Sequence, residues 1–276
     1  MEALTGVSIL FLLVMGKDQT VLFHSSVFGP IRSRRLGVSL GINLSPDDGK
    51  VCSFDCLYCE AGYNAQGAGT TGLPLREKVK RDLEKKLSSM KEKGEELDVI
   101  TFSGNGEPTL HPDFPEIIDD VLRLRDRYYP KAKVSVLTNS TKIFSGEVVK
   151  ALNKVDNNIL KLDSAVEKTM QLIDRPNSPD FTVKKVVEGL KQFSGNGIIQ
   201  TMFLRGSHDG QTVDNTTPEE LAALIEAYKE IQPREIMIYS LDRSTPEERL
   251  IKVDKEELQQ LAARIEKETG ITVRVA

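Results

Sequence analysis

Short runs of β-branched and apolar residues alternate along this chain with longer stretches in which apolar residues recur at helical spacing. The first pattern predicts strands and the second predicts amphipathic helices. We predict strands over residues 38–44, 99–103, 133–137, 159–162, 198–204 and 235–240, and helices over 75–93, 114–129, 146–153, 182–194 and 218–231. A last helix over 255–269 should end at Gly270, and the following ITVRV predicts a seventh strand at an edge.

This alternation is typical of βα units and a parallel sheet. Six strands are more than a small sandwich needs and fewer than a full eight-stranded barrel. We therefore predict an α/β fold, a partial (β/α)6 TIM-like barrel, open on one side. A single domain should cover residues 1–276, with an N-terminal extension and basic loop (1–37), the barrel core (38–245) and a C-terminal helix and strand (246–276).

Polar and reactive residues follow each predicted strand, and ligands of parallel α/β sheets bind at the carboxyl ends of the strands. They are the Cys52 to Cys59 segment, the GNGEP segment at 104–108, Asn139, Asp163, Arg205 and Asp242. Packing alone does not explain why all six strands end in this way.

The charge balance argues against general affinity for nucleic acid. Lys and Arg total 37 against 41 Asp and Glu, for a formal charge of -4, so phosphate backbones are not attracted by the whole molecule. The one basic patch is Arg32, Arg34 and Arg35 in IRSRRLG, with Lys50 after it. This patch is either a solvated loop edge or part of a substrate entrance, where it would favour an anionic substrate.

An apolar run, VSILFLLVM, covers residues 7–15 and is shorter than the roughly 20 residues that span a bilayer. Glu2 is the only charge before it, so the basic leader of a signal peptide is missing. We interpret the run as a buried strand or as an extension whose true start is Met15. The expectation is a cytoplasmic protein that does not contact a membrane.

All three cysteines lie in VCSFDCLYCEAG, as Cys52-x3-Cys56-x2-Cys59. An odd, clustered set cannot form a disulfide framework and points to metal instead. Three thiolates at these spacings can ligate three corners of an iron-sulfur cubane, and a cluster held entirely by protein would need a fourth cysteine. One iron would therefore stay open to an exogenous ligand.

Two other interpretations of the cysteines remain open. A structural zinc site needs a fourth ligand, which His24, His111 or His208 would have to supply from elsewhere in the fold. The three thiols can also be unligated residues of the core, although such thiols seldom share a polar loop punctuated by glycine.

Cys-x3-Cys-x2-Cys after a first strand, with an aromatic residue directly before the last cysteine, resembles the radical S-adenosylmethionine (SAM) superfamily. The resemblance implies one [4Fe-4S] cluster on Cys52, Cys56 and Cys59, with SAM chelated at the open iron. Reductive cleavage of SAM then gives a 5'-deoxyadenosyl radical, which abstracts hydrogen from the substrate. Tyr58 is expected against the adenine, unless it is an ordinary loop aromatic.

Further segments carry the same resemblance. TFSGNGEPTLHP resembles the Gly-Gly-Glu segment of the superfamily, so Gly104, Gly106 and Glu107 are expected to hold the cationic amine of SAM. Asn139, Asp163 with Ser164, and Arg205 are expected at the ribose or carboxylate. Their other interpretations are helix caps for Asn139 and Asp163 and a surface ion pair for Arg205. Tyr239 or Asp242 can reach the adenine or the substrate.

The run FGPIRSRRLGVSLGINLSPDDGKVCSFDCLYCE resembles a prokaryotic group of iron-sulfur oxidoreductases related to the tRNA-modifying wyosine-synthase enzymes. Those enzymes carry further cysteines for a second cluster, and this chain has none after Cys59. This departure and the acidic balance favour a small-molecule or peptide substrate over tRNA. A reducing partner such as flavodoxin or ferredoxin is implied. The alternative class is a non-catalytic iron-sulfur carrier or binding module.

Overall fold

A computed structural model describes residues 21–33 and 37–276 of the protein. The strands are β1 (Val27–Ser33), β2 (Gly37–Ile42), β3 (Val99–Phe102), β4 (Lys133–Thr138), β5 (Asn157–Lys161), β6 (Ile198–Met202), β7 (Leu204–His208), β8 (Gln211–Asp214), β9 (Glu235–Tyr239), β10 (Leu250–Lys252) and β11 (Val273–Val275). The α-helices are α1 (Arg76–Glu92), α2 (Phe114–Tyr128), α3 (Gly146–Leu152), α4 (Glu167–Asp174), α5 (Val183–Leu190), α6 (Pro218–Ile231) and α7 (Lys255–Thr269).

The main sheet has eight strands in the order β1-β2-β3-β4-β5-β6-β9-β11. From β2 to β11 every neighbouring pair is parallel, and only β1 pairs antiparallel, with β2. Helices follow the strands, as in βα units. The mostly parallel sheet is the predicted partial TIM-like barrel, and the six core strands and the seventh edge strand are confirmed.

The two faces of the sheet differ in polarity because side chains alternate along each strand. Residues such as Leu40, Ile100 and Leu160 have no exposed surface and form the core under the helices. The opposite face lines the barrel interior and carries polar pairs, among them Ser39 Oγ with Thr101 Oγ1 at 2.9 Å. A second, small apolar cluster on the strands, made of Ile159, Ile198 and Met237, is separate from that core, so the interior combines polar and apolar surface.

One strand is shorter than predicted. Residues 198–204 were expected to form one strand, but β6 ends at Met202, and Leu204 begins β7 in a separate antiparallel sheet of order β10-β7-β8. The buried Asn215 amide explains the break, because it donates to the Met202 carbonyl and accepts from Leu204 N. The chain leaves the barrel at this point.

The N-terminal prediction also needs a correction. Residues 1–37 were expected to be an extension and a loop, but Val27–Ser33 forms β1, which extends the main sheet beside β2. Arg32 lies on this strand and is exposed. The apolar run at 7–15, Met15, Arg34 and Arg35 lie outside the described residues. Among the residues described, no helix combines the length and apolar character needed to cross a bilayer.

Candidate functional site

The cysteine loop lies across the carboxyl ends of the parallel strands and is fixed by backbone contacts on both sides. On one side Val51 bridges to Gly106, with Glu107 N donating to the Val51 carbonyl at 3.0 Å. On the other side Phe54 bridges to Pro176, and Leu57 N donates to the Ile173 carbonyl at 3.0 Å. The loop is therefore clamped between the segment after β3 and the end of α4.

Two of the predicted glycines are required by close packing of the chain on itself. A Cβ atom at Gly106 would lie 1.9 Å from the Val51 carbonyl oxygen, and one at Gly104 would lie 2.3 Å from Asn43 Oδ1. A real Cβ atom does not make non-bonded contacts this short. The Val51 oxygen belongs to the backbone and cannot easily move away. Gly106 therefore lets the cysteine loop approach the strand end.

Gly106→Ala should displace the cysteine loop, because a backbone carbonyl cannot move aside as a flexible side chain can. We expect the free energy of unfolding to fall by about 1–3 kcal/mol and the yield of reconstituted cluster to fall with it. Gly146→Ala is the matched control, since a Cβ there meets nothing within 4 Å. Urea unfolding and iron content of both variants test this, and equal values for both would contradict it.

Donor groups lie against the sulfur atoms of two cysteines. Asn139 Nδ2 is 3.6 Å from Cys52 Sγ, and Lys161 Nζ is 3.7 Å from Cys56 Sγ. Hydrogen bonds and positive charge at a sulfur atom favour its thiolate form and adjust the reduction potential of the metal centre that it binds. Each of these donors would therefore stabilise a metal-bound thiolate at its sulfur.

The environment of Cys52 and Cys56 disfavours the free thiolate form of both thiols. Burial raises the pKa of Cys52 to about 11, and the neighbouring Glu107 carboxylate adds to this rise. Burial likewise raises the pKa of Cys56 well above its usual range, against the opposing effect of Lys161. A metal ligand must be deprotonated, so binding of a metal by these thiols would release protons.

A buried charge network connects Cys56 to β5. Lys161 Nζ contacts Asp163 Oδ2 at 3.0 Å and Asp174 Oδ1 at 3.5 Å, and it also hydrogen bonds to the Tyr58 hydroxyl. Tyr58 donates in turn to Asp163. Burial opposes the Lys161 charge, but the facing carboxylates outweigh this effect and raise its pKa well above the usual value. A permanent cation therefore stands beside Cys56.

Glu107 is buried and bonded by its own chain. Its Oε1 accepts from Thr109 and from Thr138 Oγ1, and its Oε2 accepts from Asn139 N at 2.7 Å. Burial raises the pKa of this carboxyl, and the hydrogen bonds from Asn139, Thr109 and Thr138 oppose that rise. Glu107 thus ties the end of β3 to the end of β4.

The structure brings most of the predicted site residues together, but it places Arg205 elsewhere. Arg205 lies on β7 in the second sheet, where it pairs with Glu257 on α7 and with Asp214 at 3.5 Å. These contacts match the surface ion pair that was its other interpretation. A role of Arg205 toward SAM stays a prediction. Tyr239 ends β9 and Asp242 follows it, and both line a small cavity beside Tyr58.

The three histidines have partners other than the cysteines. His24 Nδ1 lies against the Asp47 carbonyl, His111 Nε2 against the Pro74 carbonyl at 2.8 Å, and His208 Nδ1 against Glu247 at 2.6 Å. Within residues 21–33 and 37–276, no three His, Cys, Asp or Glu side chains are grouped as ligands of one metal ion. A cubane binds each thiolate through a different iron, so its ligands need not converge on one point.

Sequence reasoning missed Lys161, Asp174 and the buried role of Asn105. Lys161 stands two residues before Asp163, so strand alternation points both side chains toward one face, and a lysine in the run NNILKLD was the available signal. Asp174 ends α4, a helix of eight residues that was not predicted. Asn105 has no exposed surface and bonds to Phe23 and to the Pro46 carbonyl.

Comparisons with known proteins agree with this architecture. The Radical SAM superfamily matches residues 48–215. Among solved structures, a radical SAM methyltransferase from Sphaerobacter thermophilus has a TM-score of 0.63 at 14% identity, covering 86% of this chain and 65% of that one. TYW1 with a lysine-pyruvate adduct bound has a TM-score of 0.57 at 14% identity, covering 84% of this chain and 75% of that one. At such identities the likeness shows the fold alone.

Curated relatives are more similar in sequence. A UPF0026 protein of Methanocaldococcus jannaschii is 33% identical over 236 residues, which cover 84% of this chain and 68% of that protein. A UPF0026 protein of Helicobacter pylori strain J99 is 28% identical, covering 79% of this chain and 66% of that protein. A Brachyspira hyodysenteriae protein named GTPase Obg is 29% identical, covering 96% of this chain.

The chain spans 37% of the length of the Brachyspira protein and 66% of the Helicobacter protein. The match to the superfamily covers more than half of the chain and includes the cysteine loop, the glycine segment, β4 and β5. This chain therefore belongs to the Radical SAM superfamily and, through its relative in Methanocaldococcus, to the UPF0026 proteins.

Proposed function

We propose that this protein binds one [4Fe-4S] cluster through Cys52, Cys56 and Cys59 and uses it to cleave SAM reductively. The observation that carries the proposal is the placement of the cysteine loop at the strand ends, with Asn139 and Lys161 donating to two of its sulfurs. When bound, the cluster supplies an electron that breaks a carbon-sulfur bond of SAM, giving methionine and a 5'-deoxyadenosyl radical.

The segment from Gly104 to Glu107 is the proposed holder of the SAM amine. Glu107 Oε2 accepts from Asn139 N, and a carboxylate oxygen has a second lone pair for another donor. Because the surrounding hydrogen bonds fix this carboxylate, it can accept from an ammonium without reorganising. Tyr58 and Asp163 lie at the other side of the loop, where we propose that they position the nucleoside.

The barrel mouth supports a small substrate. A cavity of about 340 Å³ is lined by Phe28, Thr101, Gly104, Glu60 and Arg243, among others, and this volume is typical of small-molecule sites. Arg32 also borders it and is exposed. Because Arg243 is already paired with Glu60, we propose that Arg32 is the guanidinium that would meet an anionic group of the substrate. A small molecule or a peptide segment is therefore the proposed substrate class, in preference to tRNA, and the cytoplasm is the proposed compartment.

The direct test is anaerobic reconstitution with iron and sulfide, reduction with dithionite and addition of SAM. We expect 5'-deoxyadenosine and methionine in equal amounts, quantified by mass spectrometry. Protein without added iron, treated identically, is the control. A stable cluster that binds SAM but yields neither product, with or without cell-extract metabolites as substrates, would support the carrier or binding-module alternative.

A further inference from the structure

The outer side of the cysteine loop borders a second cavity, which has no part in the proposed reaction. This cavity, the outer groove, measures about 660 Å³ and is lined by Ser53, Leu110, Thr141, Lys142, Phe144, Pro176, Asn177, Ser178, Asp180, Phe181 and Lys185. None of these residues lines the cavity at the barrel mouth. The cysteine loop thus separates two cavities, one inside the barrel and one outside.

The outer groove is directly connected to a cysteine of the proposed cluster. Ser53 follows Cys52 in the chain, and its Oγ lies 2.7 Å from Thr141 Oγ1 and 2.9 Å from Asn139 Nδ2. That same amide nitrogen is 3.6 Å from Cys52 Sγ. Asn177 donates from the groove to the Cys52 carbonyl at 3.1 Å. The wall of the groove is therefore only a few contacts from the sulfur.

The surface of the outer groove combines exposed apolar area with positive charge. Phe144 is 55% exposed and contributes apolar area to the groove. Lys142 and Lys185 are exposed, and no ion pair of either is found within the described residues, whereas Asp180 is the one acid of the lining. The groove is locally positive on a chain whose formal charge is -4.

We propose that the outer groove is the docking surface of an acidic electron-donor protein of the flavodoxin or ferredoxin type. Charge complementarity carries the choice of partner, because negative proteins are steered to a positive, partly apolar patch. Electron-transfer partners typically associate through small interfaces, so the docking surface does not need to be large. The step is one-electron: an anionic flavin hydroquinone becomes the neutral semiquinone, and the oxidised cluster gains that electron. This inference rests on the proposed function, since it presumes the cluster.

The test is stopped-flow reduction of the reconstituted protein by a purified acidic flavodoxin in its hydroquinone form, followed by flavin absorbance. The Lys142→Glu/Lys185→Glu double variant should react about 10-fold or more slowly than wild type at low ionic strength, with the difference shrinking as salt is added. The control is Lys85→Glu/Lys255→Glu, an equal charge change on exposed lysines of α1 and α7, which should react like wild type.

Dithionite separates this inference from the proposed function. Both double variants should reach full reduction with dithionite and form as much 5'-deoxyadenosine as wild type. Equal flavodoxin rates in the two double variants would overturn the docking surface, as would a wild-type cluster that dithionite reduces but neither flavodoxin nor a [2Fe-2S] ferredoxin reduces. Absence of 5'-deoxyadenosine with dithionite would instead count against the proposed function.

Discussion

Cys56→Ala will yield a protein that no longer holds its cluster and forms no 5'-deoxyadenosine above the level without protein. Cys56 is the cysteine enclosed by Lys161 and the buried Asp174, with its Sγ 3.7 Å from each. Two remaining thiolates cannot hold three corners of a cubane. Iron and sulfide per chain, visible absorbance and product formation after anaerobic reconstitution measure the effect.

The chain has no cysteine outside the loop to substitute in parallel, so the control for Cys56→Ala is a measurement that the variant keeps its fold. Only one buried sulfur atom is removed, so the metal-free variant should keep the far-ultraviolet circular dichroism of the metal-free parent. A variant that retains the chromophore and still produces 5'-deoxyadenosine would show that Cys56 is not a ligand.

Lys161→Met will destabilise the protein by roughly 3–5 kcal/mol at neutral pH, the typical cost of removing one partner of a buried ion pair. The side chains of Asp163 and Asp174 are 1% and 3% exposed and would lose their shared cation. Methionine fills a similar volume, so packing is largely kept. Urea unfolding of the metal-free proteins is the measurement.

The same variant has a predicted pH dependence. Burial and the Asp163 charge already raise the pKa of Asp174 well above its usual value, and loss of the Lys161 charge should raise it further. A carboxyl with a raised folded-state pKa favours folding only while protonated, so the variant should recover stability as the pH falls below that pKa. The difference in the free energy of unfolding between the variant and wild type therefore becomes smaller at low pH.

Lys154→Met is the matched control for this substitution. Lys154 pairs with Asp119 at 2.6 Å, but both side chains are nearly half exposed, and a surface pair contributes about 0–1 kcal/mol. Equal losses in Lys161→Met and Lys154→Met, or a Lys161→Met loss that does not change with pH, would contradict the buried network.

The barrel and the cysteine loop could be predicted from sequence because their signals are local. Apolar runs of period 2 alternate with helical spacing, and three cysteines within eight positions need no tertiary information. The break at Met202 could not be predicted, since its cause is the amide of Asn215, thirteen residues away in the chain. Likewise Asp174 meets Lys161 only because α4 folds back onto the strand end.

The glycine segment illustrates a different limit. Its composition indicated a close backbone approach, but composition does not say what approaches. In the structure Gly106 faces the Val51 carbonyl of the same chain. Because Gly106 has no side chain, the cysteine loop can pack against it whether or not a ligand is present. Such a pairing of distant segments becomes visible only once the strands are in register.

The order of the main sheet follows the order of synthesis, because successive strands along the chain are neighbours from β1 to β6. The backbone clamps on the cysteine loop come from the segments at Gly106 and at residues 173–177. Every backbone segment that fixes the cysteine loop is therefore synthesised before β9, α7 and β11.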